Sequence, residues 1–269
     1  TGFVITPASS ASGFFTNGRY SNYRTTKRNK LFESYLSYNS GSKWEKQTLE
    51  VVAGYSYQDW DTYSPNNPTW NEAQDSIIAP ASAFPFFTRN VLMSYYGRAI
   101  LNYDGKYVVN VSLRRDGSSR FSPETRWGLF PAASAAMILS EMDFLKNNKN
   151  INMLKVRAGW GVTGQQDGIG DYAYIGNYFQ GATTAQYAFG GQYYQVLRPA
   201  GFDANLKWET TTSYNLGVDF GIKNDRISGS VDVYQKDTKD WGATVPVPAG
   251  TNFTNEILTN VGAMQNRGI

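Results

Sequence analysis

Apolar and polar residues alternate along much of this chain with a period of two. Polar residues or Gly in 213–222 separate the apolar Tyr214, Leu216, Val218, Phe220 and Ile222. The same spacing recurs in 154–163, with Leu154, Val156, Ala158, Trp160 and Val162 on one side. A period of two predicts β-strands with one apolar and one polar face, whereas an amphipathic helix has a period of 3.6.

The alternation predicts nine strands, near residues 27–39, 45–60, 90–103, 107–116, 126–139, 151–164, 206–222, 226–241 and 257–269. These strands are longer than the roughly 5 to 6 residues of an average globular strand, and their length suits a tilted crossing of a bilayer. A soluble β-sandwich also alternates, because one face of each sheet packs on the other. Strand length therefore favours a membrane barrel over the sandwich.

The connections between the predicted strands alternate in length. Tight turns are predicted at Gly41-Ser42, at Asp104-Gly105 and at 223–225, and long loops at 61–89 and 165–205. Outer-membrane barrels have short periplasmic turns and long external loops. A longer helical turn is expected at 140–150, on the periplasmic side. Aromatic residues also bunch near strand ends, as in the interfacial girdles of such barrels.

The odd number of strands predicts an incomplete barrel. An antiparallel barrel closes with an even strand number, and an open sheet in lipid would leave two unpaired edges. We therefore expect an all-β fold, in which about nine consecutive antiparallel strands form part of the wall of a transmembrane β-barrel with long external loops. The strands near 27–39 and 257–269 should not pair with each other.

Composition narrows the chemistry. The chain has no Cys and no His, which removes disulfides, thiolate metal sites and the commonest general base. A net charge of +3, with both signs interspersed, argues against a nucleic-acid partner. Glycoside hydrolysis needs only two carboxylates, but no such pair can be argued among the 22 acidic residues. We expect no enzyme, no catalytic or metal-binding residues and no cofactor.

The start of the chain resembles neither a leader nor a membrane helix. Thr1 is not followed by a basic region and an apolar run, so we expect the chain to begin inside a longer parent. The best apolar run, Leu129 to Leu139, contains Pro131 and is shorter than the about 20 residues of a spanning helix.

Five sequence segments carry a family resemblance. They are RRDGSSRF from Arg114, TRWGLFPAASAA from Thr125, LKVRAGWGVTGQQDGIGDY from Leu154, NLKWETTTSYNLGVDFGIKNDRISGSVDVYQKDTKDW from Asn205 and NVGAMQNRGI from Asn260. In order and spacing they resemble the SusC/RagA-like family of TonB-dependent outer-membrane transporters. The segments cover about half of the chain, and residues 1–90 carry little of the signature.

The resemblance implies active import of a glycan or peptide nutrient across the outer membrane of a Gram-negative bacterium. It also implies a SusD-like surface lipoprotein as partner and energy from the TonB complex. Residues 1–269 would belong to one barrel domain, without the family's plug and N-terminal extension, through which TonB would act. The alternatives are a passive porin or surface-structural barrel and, less favoured, a soluble carbohydrate-binding β-sandwich.

Two residue sets are candidates for function. Flat rings in the long loops can stack on sugars or peptides, although they can equally order the loops or meet a partner protein. From these loops we select Trp60, Trp70, Tyr172, Tyr178, Tyr193 and Tyr194. The polar strand face would line the lumen and hold the plug through Arg98, Asn102, Asn110, Arg157 and Asp219.

The motifs also allow structural interpretations. Arg114, Arg115 and Arg120 are expected to pair with acidic neighbours inside the lumen. Trp208 is expected near the membrane interface, and residues 167–171 are expected to form a flexible loop entrance rather than a calcium site. Substitution of the lumen-facing Gly217 by Ser should cost far less stability than substitution of the lipid-facing Val218 by Arg.

Overall fold

The computed structural model describes residues 1–41, 44–81, 85–181 and 184–269. Within these residues the fold has seventeen β-strands and two short 3₁₀ helices, and no α-helix. In chain order the strands are β1 (Gly2–Thr6), β2 (Arg19–Tyr23), β3 (Thr26–Asn39), β4 (Gln47–Ser64), β5 (Thr69–Trp70), β6 (Ile77–Ala79), β7 (Phe86–Tyr103), β8 (Tyr107–Ser118), β9 (Trp127–Ile138), β10 (Ile151–Gln165), β11 (Asn177–Gln180), β12 (Gln186–Phe189), β13 (Gln192–Gln195), β14 (Leu197–Ala200), β15 (Glu209–Ile222), β16 (Ile227–Pro246) and β17 (Glu256–Gly268).

Nine long strands form one sheet in the order β17-β16-β15-β10-β9-β8-β7-β4-β3. Every neighbouring pair from β7 to β17 is antiparallel, as short connections between consecutive strands require. The order leaves β3 and β17 as the two edges, so the sheet is not closed within the described residues. The prediction of nine consecutive strands in an incomplete barrel wall is confirmed.

The loop predicted at 61–89 was too long, and both long connections contain short strands that the alternation did not indicate. β4 runs on to Ser64 and β7 begins at Phe86, so both strands extend further than the alternation indicated. The segment between them contributes β5 and β6 to a second sheet of order β1-β2-β5-β6, and the loop predicted at 165–205 contains the pairs β11-β14 and β12-β13. These strands have two to five residues, too few for a period of two to be recognised.

The chain divides into two compact units. Unit 1 comprises Thr1–Phe32 and Gln58–Val91, and it contains the four-stranded sheet. Unit 2 comprises Glu33–Tyr57 and Leu92–Ile269 and holds the larger part of the nine-stranded sheet. Each unit is described by itself below.

Left-handed backbone makes the tight turns. Asp104 and Gly105 have φ of 53° and 66°, and the amide of Lys106 donates to the carbonyl of Tyr103 at 3.0 Å. Such Asp-Gly turns match the twist of the strands that they connect. A hydrogen bond from Lys106 lowers the pKa of Asp104, with 2.8 Å between the charged atoms. At the predicted Gly41-Ser42 turn, Gly41 has φ of 54° and Ser42 lies outside the described residues.

The connection between β9 and β10 is the helical turn that the sequence predicted. It begins with the 3₁₀ helix Leu139–Glu141 and continues with amide bonds from Leu145 and Lys146 to the carbonyl of Met142. No helix in the described ranges has both the length and the apolar character needed to span a membrane.

Register across the nine-stranded sheet in unit 2 separates two faces, because opposite residues on antiparallel strands share a face. One face, the polar face, carries Arg98, Asn110, Ser134, Arg157 and Asp219. The other, the apolar face, carries Val109, Val111, Leu113, Leu216, Val218, Val231 and Val233. Val111, Leu216 and Val233 are 51%, 55% and 50% exposed, although they are apolar.

Candidate functional site

The best-connected charged group on the polar face is centred on Arg157, in β10. Its guanidinium donates to both oxygens of Asp219 at 3.2 and 3.3 Å and to Asp232 at 2.7 Å. Lys155 adds a second cation 3.5 Å from Asp219. These four side chains, the Arg157 cluster, span β10, β15 and β16 and carry no net charge. Each carboxylate is held by Arg157, which suits a fixed wall network rather than acid–base catalysis.

The structure places all five predicted lumen residues on the polar face. Arg98 donates to Asn110 at 3.0 Å across β7 and β8, and Arg157 meets Asp219 in the Arg157 cluster. Asn102 lies further along the same face of β7, opposite Val108. The sequence analysis did not select Lys155, although alternation along β10 places it on the face of Arg157. It missed Asp232, because only the register of β16 shows that this residue lies beside Arg157.

A polar groove with a volume of about 710 Å³ lies along the same face beyond the Arg157 cluster. One hydroxyl contact across it joins Thr211 and Thr238 at 2.8 Å. Its charged members are Glu209 and Lys236, one of each sign. The remaining lining is mainly hydroxyl and amide side chains, namely Thr163, Gln165, Thr211, Ser213, Thr238 and Asn266.

A buried apolar cluster, here termed the loop core, lies beside the sheet ends in unit 2. Its members are Phe121, Phe130, Ile169, Leu206 and Trp208. The Trp208 ring has its centroid 5.1 Å from that of Phe121 and 5.4 Å from that of Phe130. Its indole N–H donates to the carbonyl of Arg126 at 2.8 Å, so the polar atom of the buried ring is satisfied.

Polar contacts tie the surrounding loops to the loop core. Arg120 pairs with Asp171 at 3.0 Å and donates to the carbonyl of Gln166 at 3.1 Å. The side chain of Asn260 accepts from the amide of Lys207 at 2.9 Å and donates to its carbonyl at 3.0 Å. Each of the five segments that carry the family resemblance thus contributes a residue to the loop core or to the polar contacts around it.

Three expectations about these motifs were wrong. Trp208 is 7% exposed inside the loop core, not placed at an interface. Residues 167–171 do not form an open entrance, because Ile169 is 7% exposed and Asp171 is paired with Arg120. Of the three arginines, Arg114 pairs with Asp116 at 2.7 Å, but Arg115 lies on the apolar face over the ring of Trp127.

Two of the predicted ligand-binding rings belong to unit 1. Trp60 follows Asp59 in β4, and this buried carboxylate accepts two hydrogen bonds from Arg89 at 2.9 and 2.7 Å. Trp70 lies in β5 opposite Tyr20 of β2. Both rings are therefore part of ordered sheet structure.

The other four predicted rings belong to unit 2 and lie between β10 and β15. Tyr172 has a left-handed φ of 68°, and Tyr178 in β11 has its ring centroid 6.2 Å from that of Phe253. Tyr193 and Tyr194 are neighbours in β13, so their side chains point to opposite faces of the β12-β13 hairpin. In the described part of the chain, no three potential metal-binding side chains cluster.

Aromatic rings mark both ends of the apolar face. Towards the loop end, Tyr95 has its ring centroid 5.1 Å from that of Tyr55 and 6.2 Å from that of Trp127. Towards the tight turns, the centroids of Tyr103 and Tyr107 are 6.3 Å apart. Between these two groups the face carries aliphatic side chains such as Val111, which lies opposite Ala99.

Known proteins show the same fold and sequence pattern. The chain is 36% identical to the TonB-dependent receptor SusC of Bacteroides thetaiotaomicron over 99% of its own length and 26% of that protein. It is 34% identical to the TonB-dependent receptor P39 of Formosa agariphila over 88% of its length and 23% of that protein. The chain thus spans about a quarter of these relatives.

Solved structures agree with this similarity. A structure of the RagAB peptide transporter matches 99% of this chain and 30% of its own, with a TM-score of 0.77 and 20% identity. The ferric enterobactin receptor of Pseudomonas aeruginosa matches 94% of this chain with a TM-score of 0.55 and 14% identity. The sequence model described as "TonB dependent receptor-like, beta-barrel" matches residues 3–269. The chain therefore belongs to the β-barrel family of TonB-dependent receptors.

Proposed function

We propose that this chain is part of the barrel wall of an outer-membrane importer that takes up a glycan or peptide nutrient in a Gram-negative bacterium. The observation that carries the proposal is the 36% identity to SusC over 99% of the chain. The barrel breaks no bonds, and its relatives are named as receptors. The polar face lines the lumen, with the Arg157 cluster and the polar groove turned towards the transported molecule or a plug.

The dimensions of the apolar face support a membrane location. From Tyr95 to Tyr103 the strand advances eight residues, which is about 26 Å at about 3.3 Å per residue. At a strand tilt of about 40° this covers about 20 Å along the membrane normal, comparable with the apolar band of outer-membrane barrels. Outer-membrane lipid would thus cover the half-exposed Val111, Leu216 and Val233.

The parts that drive transport are proposed to lie elsewhere in a longer polypeptide. Residues 1–269 would form a portion of one barrel domain, and a plug with a TonB-contacting segment would be encoded outside them. A SusD-like surface lipoprotein would cover the loop end of the barrel. Contacts for an incoming ligand or for this lipoprotein are proposed separately for each unit, at Trp60 and Trp70 in unit 1 and at Tyr172, Tyr178, Tyr193 and Tyr194 in unit 2.

Deletion of the full-length gene in its native bacterium tests the proposal. The deletion strain should lose growth on one nutrient among neutral polysaccharides, acidic polysaccharides and peptide hydrolysates, and the intact gene should restore it. Uptake should stop when the proton-motive force is dissipated, because TonB draws on it. Uptake that survives dissipation would indicate a passive porin instead, and unchanged growth on every nutrient would contradict a role in import.

A further inference from the structure

A pocket with two arginines lies in unit 1, where three strands of the large sheet meet their long connections. β3 begins at Thr26, β4 ends at Ser64 and β7 begins at Phe86, and β4 lies between the other two. The pocket has a volume of about 530 Å³. Its lining includes Arg24, Thr26, Arg28, Asp61, Tyr63 and Phe87, and it is here termed the arginine pocket.

Hydrogen bonds on both sides hold the backbone that carries Arg24. This residue lies between β2 and β3. After it, the hydroxyls of Thr25 and Ser64 are 2.9 Å apart, which ties the start of β3 to the end of β4. Before it, the carbonyl of Asn22 accepts from the side-chain amide of Asn67 at 3.2 Å. The arginine pocket is therefore built on an ordered backbone.

The chain around the arginine pocket is rich in cations. Residues 1–32 contain no Asp or Glu and five basic residues, which are Arg19, Arg24, Lys27, Arg28 and Lys30. Thr26 and Arg28 are two residues apart in β3 and share one face, whereas Lys27 lies on the other. Lys30 is 3.7 Å from the carboxylate of Asp59, so its charge is paired within the protein.

The carboxylates beside the pocket are also paired within the protein. Asp59 accepts two hydrogen bonds from Arg89, and Asp61 lies 3.7 Å from Nε of the same guanidinium. Among the described residues, neither Arg24 nor Arg28 forms an ion pair. These two guanidiniums therefore bring positive charge to the pocket that no carboxylate of unit 1 offsets.

The polar groups of the arginine pocket suit a phosphate group better than a carboxylate. Asp59 shows that a single guanidinium is enough to bond both oxygens of a carboxylate. A phosphomonoester has three free oxygens and a charge of about −1.5 to −2 at pH 7, so it can be shared by two guanidiniums and also accept from a hydroxyl. Arg24, Arg28 and Thr26 provide this set of donors.

We propose that the arginine pocket binds a phosphate group, which is carried by a membrane lipid or is free as inorganic phosphate. The inference goes beyond the proposed import function, because the ligand is not the transported nutrient. Two features favour the lipid as the source. The long connections of an outer-membrane barrel are external, so the pocket would open near the headgroups of the outer leaflet. Tyr63 and Phe87 are 43% and 52% exposed and offer ring surface to the rest of a lipid.

Binding to the full-length receptor, purified in detergent with its native partner proteins, tests the site. The probes are dioleoyl phosphatidic acid and inorganic phosphate, and dioleoylglycerol succinate carries a carboxylate on the same lipid. At least one phosphate probe should bind, and Arg24→Gln/Arg28→Gln should weaken this binding by about tenfold or more. Arg24→Lys/Arg28→Lys keeps both charges without the planar forks and should bind with intermediate affinity. Tighter binding of phosphatidic acid identifies a lipid headgroup as the ligand, and tighter binding of inorganic phosphate identifies the free ion.

The control is Arg19→Gln/Lys27→Gln, which removes the same number of charges from the same segment but outside the pocket lining, and it should bind as the wild type does. The inference is overturned if neither phosphate probe binds, if the succinate lipid binds as tightly as phosphatidic acid, or if the glutamine pair keeps full affinity. An equal loss in the control pair also overturns it, because binding would then follow net charge alone. Growth on the nutrient is measured separately, so none of these results decides the import function.

Discussion

The apolar face of the large sheet and the loop core use similar residues in opposite ways. On the apolar face, Val111 and Leu216 are 51% and 55% exposed. In the loop core, Phe121 and Leu206 are fully buried. Both regions belong to unit 2 and are joined by the same strands, yet only the loop core buries its apolar side chains within the protein.

The difference fits the proposed function, in which the chain is folded for two solvents. A soluble monomer rarely exposes a contiguous apolar surface larger than a few hundred Å², and the proposal assigns the cover of the apolar face to membrane lipid. The loop core follows the rules of a water-soluble protein, with tilted ring pairs and a satisfied indole N–H. Substitutions in the two regions should therefore respond differently to lipid, and the variants below test this contrast and the packing of the polar face.

The largest effect is expected from Trp208→Ala in the loop core. The change removes two ring contacts and the hydrogen bond to the carbonyl of Arg126. The free energy of local opening should fall by about 3–5 kcal/mol, as for other buried Trp truncations. Hydrogen exchange of residues 119–126 and 201–208 in the full-length receptor measures it. The half-exposed Trp241 supplies the control, since Trp241→Ala should leave these amides protected.

The next effect is expected from Val218→Arg, at the middle of the apolar face. Val218 lies between Val156 and Val231 on the neighbouring strands, so an Arg here must enter hydrocarbon. The free energy of unfolding in lipid vesicles should fall by about 2–4 kcal/mol. Asn215→Arg places the same side chain on the polar face of the same strand and should cost much less. Equal losses would contradict the assignment of faces.

A smaller loss of stability is expected for substitution of Gly217, and Gly159 on the same polar face provides the comparison. A Cβ on Gly217 would lie 2.6 Å from an Asp232 oxygen and 2.7 Å from the Arg157 guanidinium carbon. These atoms are the ends of flexible side chains that can shift, so the expectation that Gly217→Ser costs far less than Val218→Arg stays a prediction, and Gly217→Ala should cost about 1 kcal/mol through overpacking of the Arg157 cluster. A Cβ on Gly159 would meet nothing closer than 3.9 Å, so Gly159→Ala should be neutral or stabilising in the same unfolding measurement.

The strands of the barrel wall and their two faces were predictable, because the alternation of apolar and polar residues can be recognised within each strand alone. Alternation along each strand places Arg157 and Asp219 on the polar face and Val218 on the apolar face without reference to any neighbour. The partners of Arg157 were not predictable in this way. Asp232 reaches Arg157 across β15 because the turn from Lys223 sets the register of β16, and one residue more or less would turn Asp232 to the other face.

The loop core was not predictable because its members are far apart in sequence. Phe121, Ile169 and Leu206 come from three separate connections that show no periodicity. They become buried only when these connections pack together in the folded chain. The β12-β13 hairpin shows the same limit on a smaller scale. Tyr193 and Tyr194 were selected together from composition, but the register of β13 turns them to opposite sides and pairs Tyr194 with Tyr187 instead.

The smallest loss of stability is expected for substitution of Arg115, which lies at the loop end of the apolar face. This residue lies on the apolar face opposite Tyr95, and its guanidinium carbon is 4.8 Å from the ring centroid of Trp127. Trp127 in turn covers Gly117, where an added Cβ would lie 2.8 Å from the ring. Arg115→Gln removes the cation above a fixed ring and should lower the free energy of unfolding in vesicles by about 0.5–1 kcal/mol. Arg115→Lys keeps the charge and should recover part of this loss.

If Arg115 lies among lipid headgroups, the loss should grow when anionic lipid is added to the vesicles, because the cation then has a second partner. A loss of several kcal/mol that is independent of lipid charge would instead place Arg115 in a buried protein contact, and the boundary between the two solvents would have to be moved towards the loops.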